Sequence, residues 1–192
     1  MTRMPYLVLG CRVLLLGVLV VAVAGKLRDR AAFGEFAASI VELRLLPRRF
    51  SRAAARAAVG VETLTAGLLL VPATTSFAFA LALCTMSVFA VAIILALRRG
   101  ATAPCHCFGA SVTPLGPVHV VRNTALAAVA ACGLAGALTT PPTLWPPHPG
   151  GGLLALGAAL VAVLLVVRLD DLAALFGTSP FDVAPVPRTE KP

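Results

Sequence analysis

The run YLVLGCRVLLLGVLVVAVA, from Tyr6 to Ala24, is apolar throughout except for Arg12. Roughly 20 such residues, each rising about 1.5 Å as a helix, cross the hydrocarbon of a bilayer. Ala22-Val23-Ala24 also resembles a signal-peptidase site, which makes a cleaved leader the alternative. A leader's apolar region is usually shorter, about 7–15 residues, and Arg12 interrupts this one, so a retained span is expected.

The rest of the chain repeats the pattern. Of its 192 residues 59% are hydrophobic and 12% charged, against about half and a quarter in a soluble domain. Further apolar runs cover residues 53–71, 77–97, 118–138 and 153–167. Residues 72–76 join the second and third too briefly for anything but an antiparallel hairpin. Residues 31–46 space apolar positions (Phe33, Phe36, Ile40, Val41, Leu43) among Glu35, Glu42 and Arg44. That spacing suits an interfacial helix, with a packed soluble helix as the alternative, and Leu45-Leu46-Pro47 stops it. Residues 140–152 are rich in Pro and Gly and hold the only Trp, Trp145, at the place of an interface anchor. The expected fold is all-α and integral to the membrane, with five spans in one domain over residues 1–170. A polar, disordered tail is expected over 171–192.

The net charge of +8 follows this topology. Lys26, Arg28, Arg30, Arg44, Arg48, Arg49, Arg52 and Arg56 fall between the first two spans. Arg98 and Arg99 follow the third, and Arg168, Arg188 and Lys191 follow the fifth. In a five-span arrangement these share one side, which the positive-inside rule makes cytoplasmic. The basic residues flank apolar runs and have no stacking aromatics among them, which argues against nucleic-acid binding. The lipid bilayer is the expected surrounding.

Of five cysteines, Cys11, Cys84 and Cys132 sit singly in apolar runs, where they read as small packing residues or, at the margin, as a resolving thiol. Cys105 and Cys107 form a spaced pair in Pro104-Cys105-His106-Cys107-Phe108-Gly109, between the third and fourth spans. A thiolate attacks a disulfide and a second thiol resolves the mixed product. With one residue between them, the two sulfurs close only a tight ring, which favours oxidising or isomerising other thiols. Charged His106 would favour the thiolates, and Gly109 allows a turn at the exit. Two alternatives stay open. Cys105, His106 and Cys107, with His119, are soft metal ligands of a zinc or copper(I) kind, although consecutive residues seldom converge on one ion. The thiols are otherwise unreactive loop residues. No resident metal or cofactor is assigned.

Ionisable groups at membrane depth have a functional default. Arg12 and Glu62 suggest a buried pair fixing helix register, or a proton relay to the thiol loop. Arg122 and Asn123, opening the fourth span, read either as hydrogen-bonding supports of the loop backbone or as an orientation charge.

In order along the chain stand Gly25-Lys26-Leu27-Arg28-Asp29, Leu45-Leu46-Pro47, Glu62, Arg99-Gly100, Cys105-His106-Cys107-Phe108-Gly109 and Arg122-Asn123. Over about residues 5–140 this series resembles the MauE family of methylamine utilisation membrane proteins, related to the DoxX-like membrane proteins. The resemblance implies a multi-pass protein of the cell inner membrane, built as a four-helix bundle and here extended by one span. It implies that Cys105 and Cys107 exchange disulfides with a thioredoxin-like partner in maturation of an amine-oxidising enzyme, with Lys26, Glu62, His106, Gly109, Arg122 and Asn123 in support. Disulfides of an exported enzyme form outside the cytoplasm, whereas charge places the loop inside. Either the topology is reversed, or the loop relays reducing equivalents from the cytoplasmic face, or the substrate is another one. A scaffold that docks a soluble oxidoreductase through its basic loops, without catalysis, is the competing function.

Overall fold

In the computed structural model, residues 3–43, 45, 47–100, 116–169 and 171 are described. Six α-helices follow one another: α1 (Met4–Leu27), α2 (Arg30–Glu42), α3 (Arg48–Leu70), α4 (Thr75–Arg98), α5 (Pro117–Thr139) and α6 (Pro149–Val167), with a short 3₁₀ turn at Pro72–Thr74. All but α2 are long and apolar enough to cross a membrane, and the described residues contain no strand. The protein is a multi-pass membrane protein with the expected five spans. Each of the five starts before its apolar window, α3 already at Arg48 and α6 at Pro149, because the backbone keeps its hydrogen bonds among the headgroups whatever the side chains are. Prolines open α1, α5 and α6, where a missing N–H costs nothing.

The segment expected at 31–46 ends sooner, at Glu42. Its start is fixed by Asp29, whose carboxylate accepts a 2.7 Å hydrogen bond from the Ala32 N–H. That bond is the main reason the Asp29 carboxyl titrates below the usual range. Phe36 and Ala37 of α2 bury against Ala55 and Val59 of α3, so α2 lies along the first half of α3.

Helices α1, α3, α4 and α5 close a ring in which each packs on two neighbours, and α6 rests on α1 outside it. The core is Leu15, Val18 and Leu19 of α1, Leu69 of α3, Ala78, Phe79, Ala82 and Met86 of α4, and Leu126 and Ala130 of α5. Lipid is as apolar as this core, so the helices gain from close packing rather than from leaving water. Small residues do that work. Ala82, Ala96 and Ala130 are wholly buried, and Gly133 of α5 admits the Phe79 ring of α4 where a Cβ would collide with it. Large apolar side chains such as Phe77, Val88, Leu154 and Leu164 face outward, toward the lipid.

Both hairpins are antiparallel, which gives the bundle two ends. The connection from α4 to α5 leaves one of them, called here the loop end. The starts of α1, α4 and α6 meet at the opposite end, where the Tyr6 hydroxyl accepts from the His148 N–H. The expected domain limits and the disordered tail fall mostly beyond the described residues, as does everything from 172 onward.

Candidate functional site

Cys105, His106, Cys107 and Gly109 lie outside the described residues; their flanks lie within them. At the end of α4, Gly100 takes the left-handed conformation, φ +69°, and its N–H bonds the Leu97 carbonyl at 3.0 Å. This is a helix stop that a residue with a Cβ would strain. On the far side, Gly116 in extended conformation precedes Pro117 at the first position of α5. Ile93 and Ala96 of α4 pack with Val120 of α5, so the two flanks leave from neighbouring points.

Three polar side chains at helical spacing, His119, Arg122 and Asn123, open α5 and are all buried. Asn123 donates to the His119 carbonyl at 2.8 Å through its side-chain amide. Beneath them lies the most polar part of the interior. The Lys26 ammonium reaches both carboxylate oxygens of Glu62, at 2.5 and 2.7 Å, with both residues about 2% exposed. The same ammonium stands 4.7 Å from the Phe36 ring centroid and 5.9 Å from that of Phe89, within cation–π range. Asn123, Lys26, Glu62, Phe89 and Met86 share a cavity of about 20 Å³, roughly room for one water with polar partners.

The pair expected between Arg12 and Glu62 does not form. Arg12 donates through Nε to the Leu69 carbonyl in the last turn of α3. The reason is register. In this antiparallel pair Arg12, nearer the start of α1, reaches Leu69 at the end of α3, and Glu62, further back along α3, is reached by Lys26 from the end of α1. A register lock or relay built on Arg12 and Glu62 is therefore replaced by the Lys26–Glu62 pair. Lys26, Glu62, Arg122 and Asn123 thus share the half of the bundle nearest the loop.

Sequence reasoning missed the two aromatics over Lys26. Phe36 belongs to the amphipathic stripe of α2, a readable signal of burial but not of its partner. Phe89 sits in an unbroken apolar run and gives no signal. Cys84 and Cys132 are exposed, and Cys11 is half-buried near the opposite end. Cys84 stands about 21 Å along α4 from its loop end, and Cys132 about 22 Å along α5 from its start, so neither adjoins the loop flanks. Among the described residues no three His, Cys, Asp or Glu side chains gather as a metal site; of the set expected around Cys105, Cys105, His106 and Cys107 lie outside them, and His119 is described and buried in α5.

A buried ammonium held on a carboxylate is neutral as a unit, and losing either member strands a charge. Such a pair fixes α1 against α3 just below the point where α5 presents its own polar face. Comparison with curated proteins gives no match, and comparison with solved structures gives none. The family of the methylamine utilisation protein MauE matches residues 4–136. That match runs from the first residue of α1 to the last turn of α5, enclosing the whole four-helix ring, and this chain belongs to the MauE family.

Proposed function

We propose that this MauE-family protein is a membrane thiol–disulfide exchange protein acting in methylamine utilisation. Cys105 and Cys107 are the exchanging pair, a thioredoxin-like protein is the partner, and an amine-oxidising enzyme is the final substrate. The observation that carries the reading is the placement of the pair's flanks. The thiols belong to the connection between two closely packed helices, and its flanks leave the half of the bundle where Lys26, Glu62, Arg122 and Asn123 are buried. Cys105 is five residues past Gly100, so the chain itself keeps it within about 18 Å of that helix end.

In the exchange, the Cys105 thiolate attacks a partner disulfide, forming a mixed disulfide and releasing one partner thiolate, which takes up a proton. The Cys107 thiolate then attacks Cys105 Sγ, closing the Cys105–Cys107 disulfide and freeing the partner as a dithiol. Two electrons pass to the partner, and the reverse sequence oxidises it. Cys107→Ser stops the cycle at the mixed disulfide. A covalent adduct through Cys105, cleaved by reductant and containing a thioredoxin-like protein, is the expected result. If no adduct forms and both Cys→Ser variants keep full function, the reading fails.

The non-catalytic scaffold keeps one observation in its favour: Arg48, Arg49, Arg52 and Arg56 are all exposed near the loop end, as a docking surface for an acidic protein requires. It predicts that complex formation and function survive Cys105→Ser and Cys107→Ser. Orientation is tested separately with a membrane-impermeant maleimide on intact cells. Charge predicts that Cys105 and Cys107 stay unlabelled, and labelling places the loop on the exported side.

A further inference from the structure

The end of the bundle opposite the thiol loop holds a cation that no described acidic residue neutralises. Arg12 is 7% exposed, and its only hydrogen bond among the described residues goes from Nε to the Leu69 carbonyl. The ion pairs among the described residues are Lys26–Glu62, Arg28–Asp29 and Arg168–Asp171, and none involves it. The sequence explains why. Of its eight acidic residues, Asp29, Glu35 and Glu42 lie between α1 and α3, Glu62 is held by Lys26, and the other four follow α6, which ends at the loop end. The carbonyl end of α3 offers Arg12 only a partial negative charge, and the start of α4 beside it offers the opposite sign.

The guanidinium lines a groove of about 30 Å³, together with Pro5, Val8, Thr75, Ser76, Thr140 and Trp145. The wall of the groove is built, not incidental. Trp145 lies so close to Gly152 that a Cβ there would meet the indole at 2.7 Å, and Tyr6 holds the backbone at His148. Leu69 is the last residue but one of α3, so the guanidinium reaches the last turn of that span, on the side toward the headgroups. Ser76 and Thr75, whose hydroxyl donates to the Val71 carbonyl, bring the first turn of a long helix to the same groove, and Val8 and Pro5 add apolar lining.

We propose that this groove is a binding site for a phosphate oxyanion carried by a phospholipid, with Arg12 as its counter-charge. The planar guanidinium fork suits a phosphate, and the start of α4 adds a partial positive charge of the sign an anion requires. The site is independent of the thiol chemistry.

The test uses purified, delipidated full-length protein in detergent, with thermal unfolding as the readout. Phosphatidylglycerol should raise the midpoint of the wild type, and diacylglycerol, which lacks the phosphate, should not. Arg12→Gln should weaken the apparent affinity for phosphatidylglycerol by about tenfold or more, as loss of charge-assisted bonds implies; Arg12→Lys should keep part of it. Ser76→Asp puts a carboxylate into the groove. It should raise the midpoint without lipid and abolish the further rise with lipid, which keeps the proposal testable if Arg12→Gln does not fold. A diacylglycerol effect equal to that of phosphatidylglycerol, or an undiminished lipid response in Arg12→Gln or Ser76→Asp, overturns the site. Inorganic phosphate acting as strongly as the phospholipid overturns the lipid as its source.

Discussion

At the level of single residues, the interior is governed by where a charge can find its opposite. Among the described residues Glu62 has one ionic partner, Lys26 from the end of α1, turned back into the bundle rather than out to the headgroups. Arg12 and Glu62 both stand out in the sequence as charges inside apolar runs, but a sequence gives no depth. From Arg12 to Lys26 the helix rises about 21 Å, and only the antiparallel register of α1 on α3 tells which of the two meets Glu62. Lys26→Met alone, or Glu62→Met alone, leaves a buried charge and should cost about 3–5 kcal/mol. The double variant Lys26→Met with Glu62→Met removes both charges and should recover most of that, read as thermal unfolding midpoints in one detergent. An Arg12→Met and Glu62→Met cycle should show additivity, since the two share no partner. Asp29 is a surface counterpart. Its carboxyl is held below the usual range by the Ala32 N–H, so the cap helps α2 at pH values above the ordinary carboxylate range and is lost as pH falls through the lowered value. The protection factor of the Ala32 amide, which removes the intrinsic pH dependence of exchange, should therefore fall on acidification in the wild type and be low at every pH in Asp29→Ala.

Between elements, the legible and illegible parts of the sequence separate cleanly. Span number and order follow from runs such as 6–24 and 77–97, because hydrocarbon demands length and apolarity and nothing else. Which helix touches which does not follow. A helix with lipid on one side and other helices on the other is apolar all round, so no stripe marks the packed face. What does mark it is size. Along α5 the buried apolar positions are Leu126, Ala130, Gly133 and Gly136, small toward the end that meets the start of α4. Gly133→Val should force the Phe79 ring out of its seat and destabilise the bundle by about 1–3 kcal/mol. Gly60→Ala, on α3, has nothing within 4 Å of its new methyl and should be neutral or stabilise by up to about 1 kcal/mol. Parallel unfolding measurements on the two variants check the contrast. If Gly133→Val proves as mild as Gly60→Ala, α4 and α5 are not in close contact at that point. The thiol motif lies at the other extreme of legibility: residues 104–109 announce a chemistry in one glance, while the geometry of the pair lies beyond the described residues.

For the molecule as a whole, the question is what the fifth span adds. The family match ends at residue 136, and the four helices within it already close the ring. Helix α6 lies on α1 alone among its strong neighbours, with Val163 filling the notch left by Gly17 and Leu153, Leu154, Leu160 and Leu164 turned to lipid. Its first turn, however, helps hold the connection that carries Trp145 over the Arg12 groove. The two ends of the molecule should therefore respond differently to its loss. A chain ending after Thr140 keeps the Lys26–Glu62 pair, the α4–α5 contact and both loop flanks, so it should still form the mixed disulfide through Cys105 when Cys107 is Ser. The same truncation removes Trp145 and the support given by Tyr6 and His148, which should abolish the stabilisation by phosphatidylglycerol. Adduct yield and the lipid-dependent midpoint, measured on one truncated preparation, separate the two effects. Loss of both would mean that α6 braces the ring itself, whereas retention of both would mean that neither the thiol loop nor the Arg12 groove depends on it.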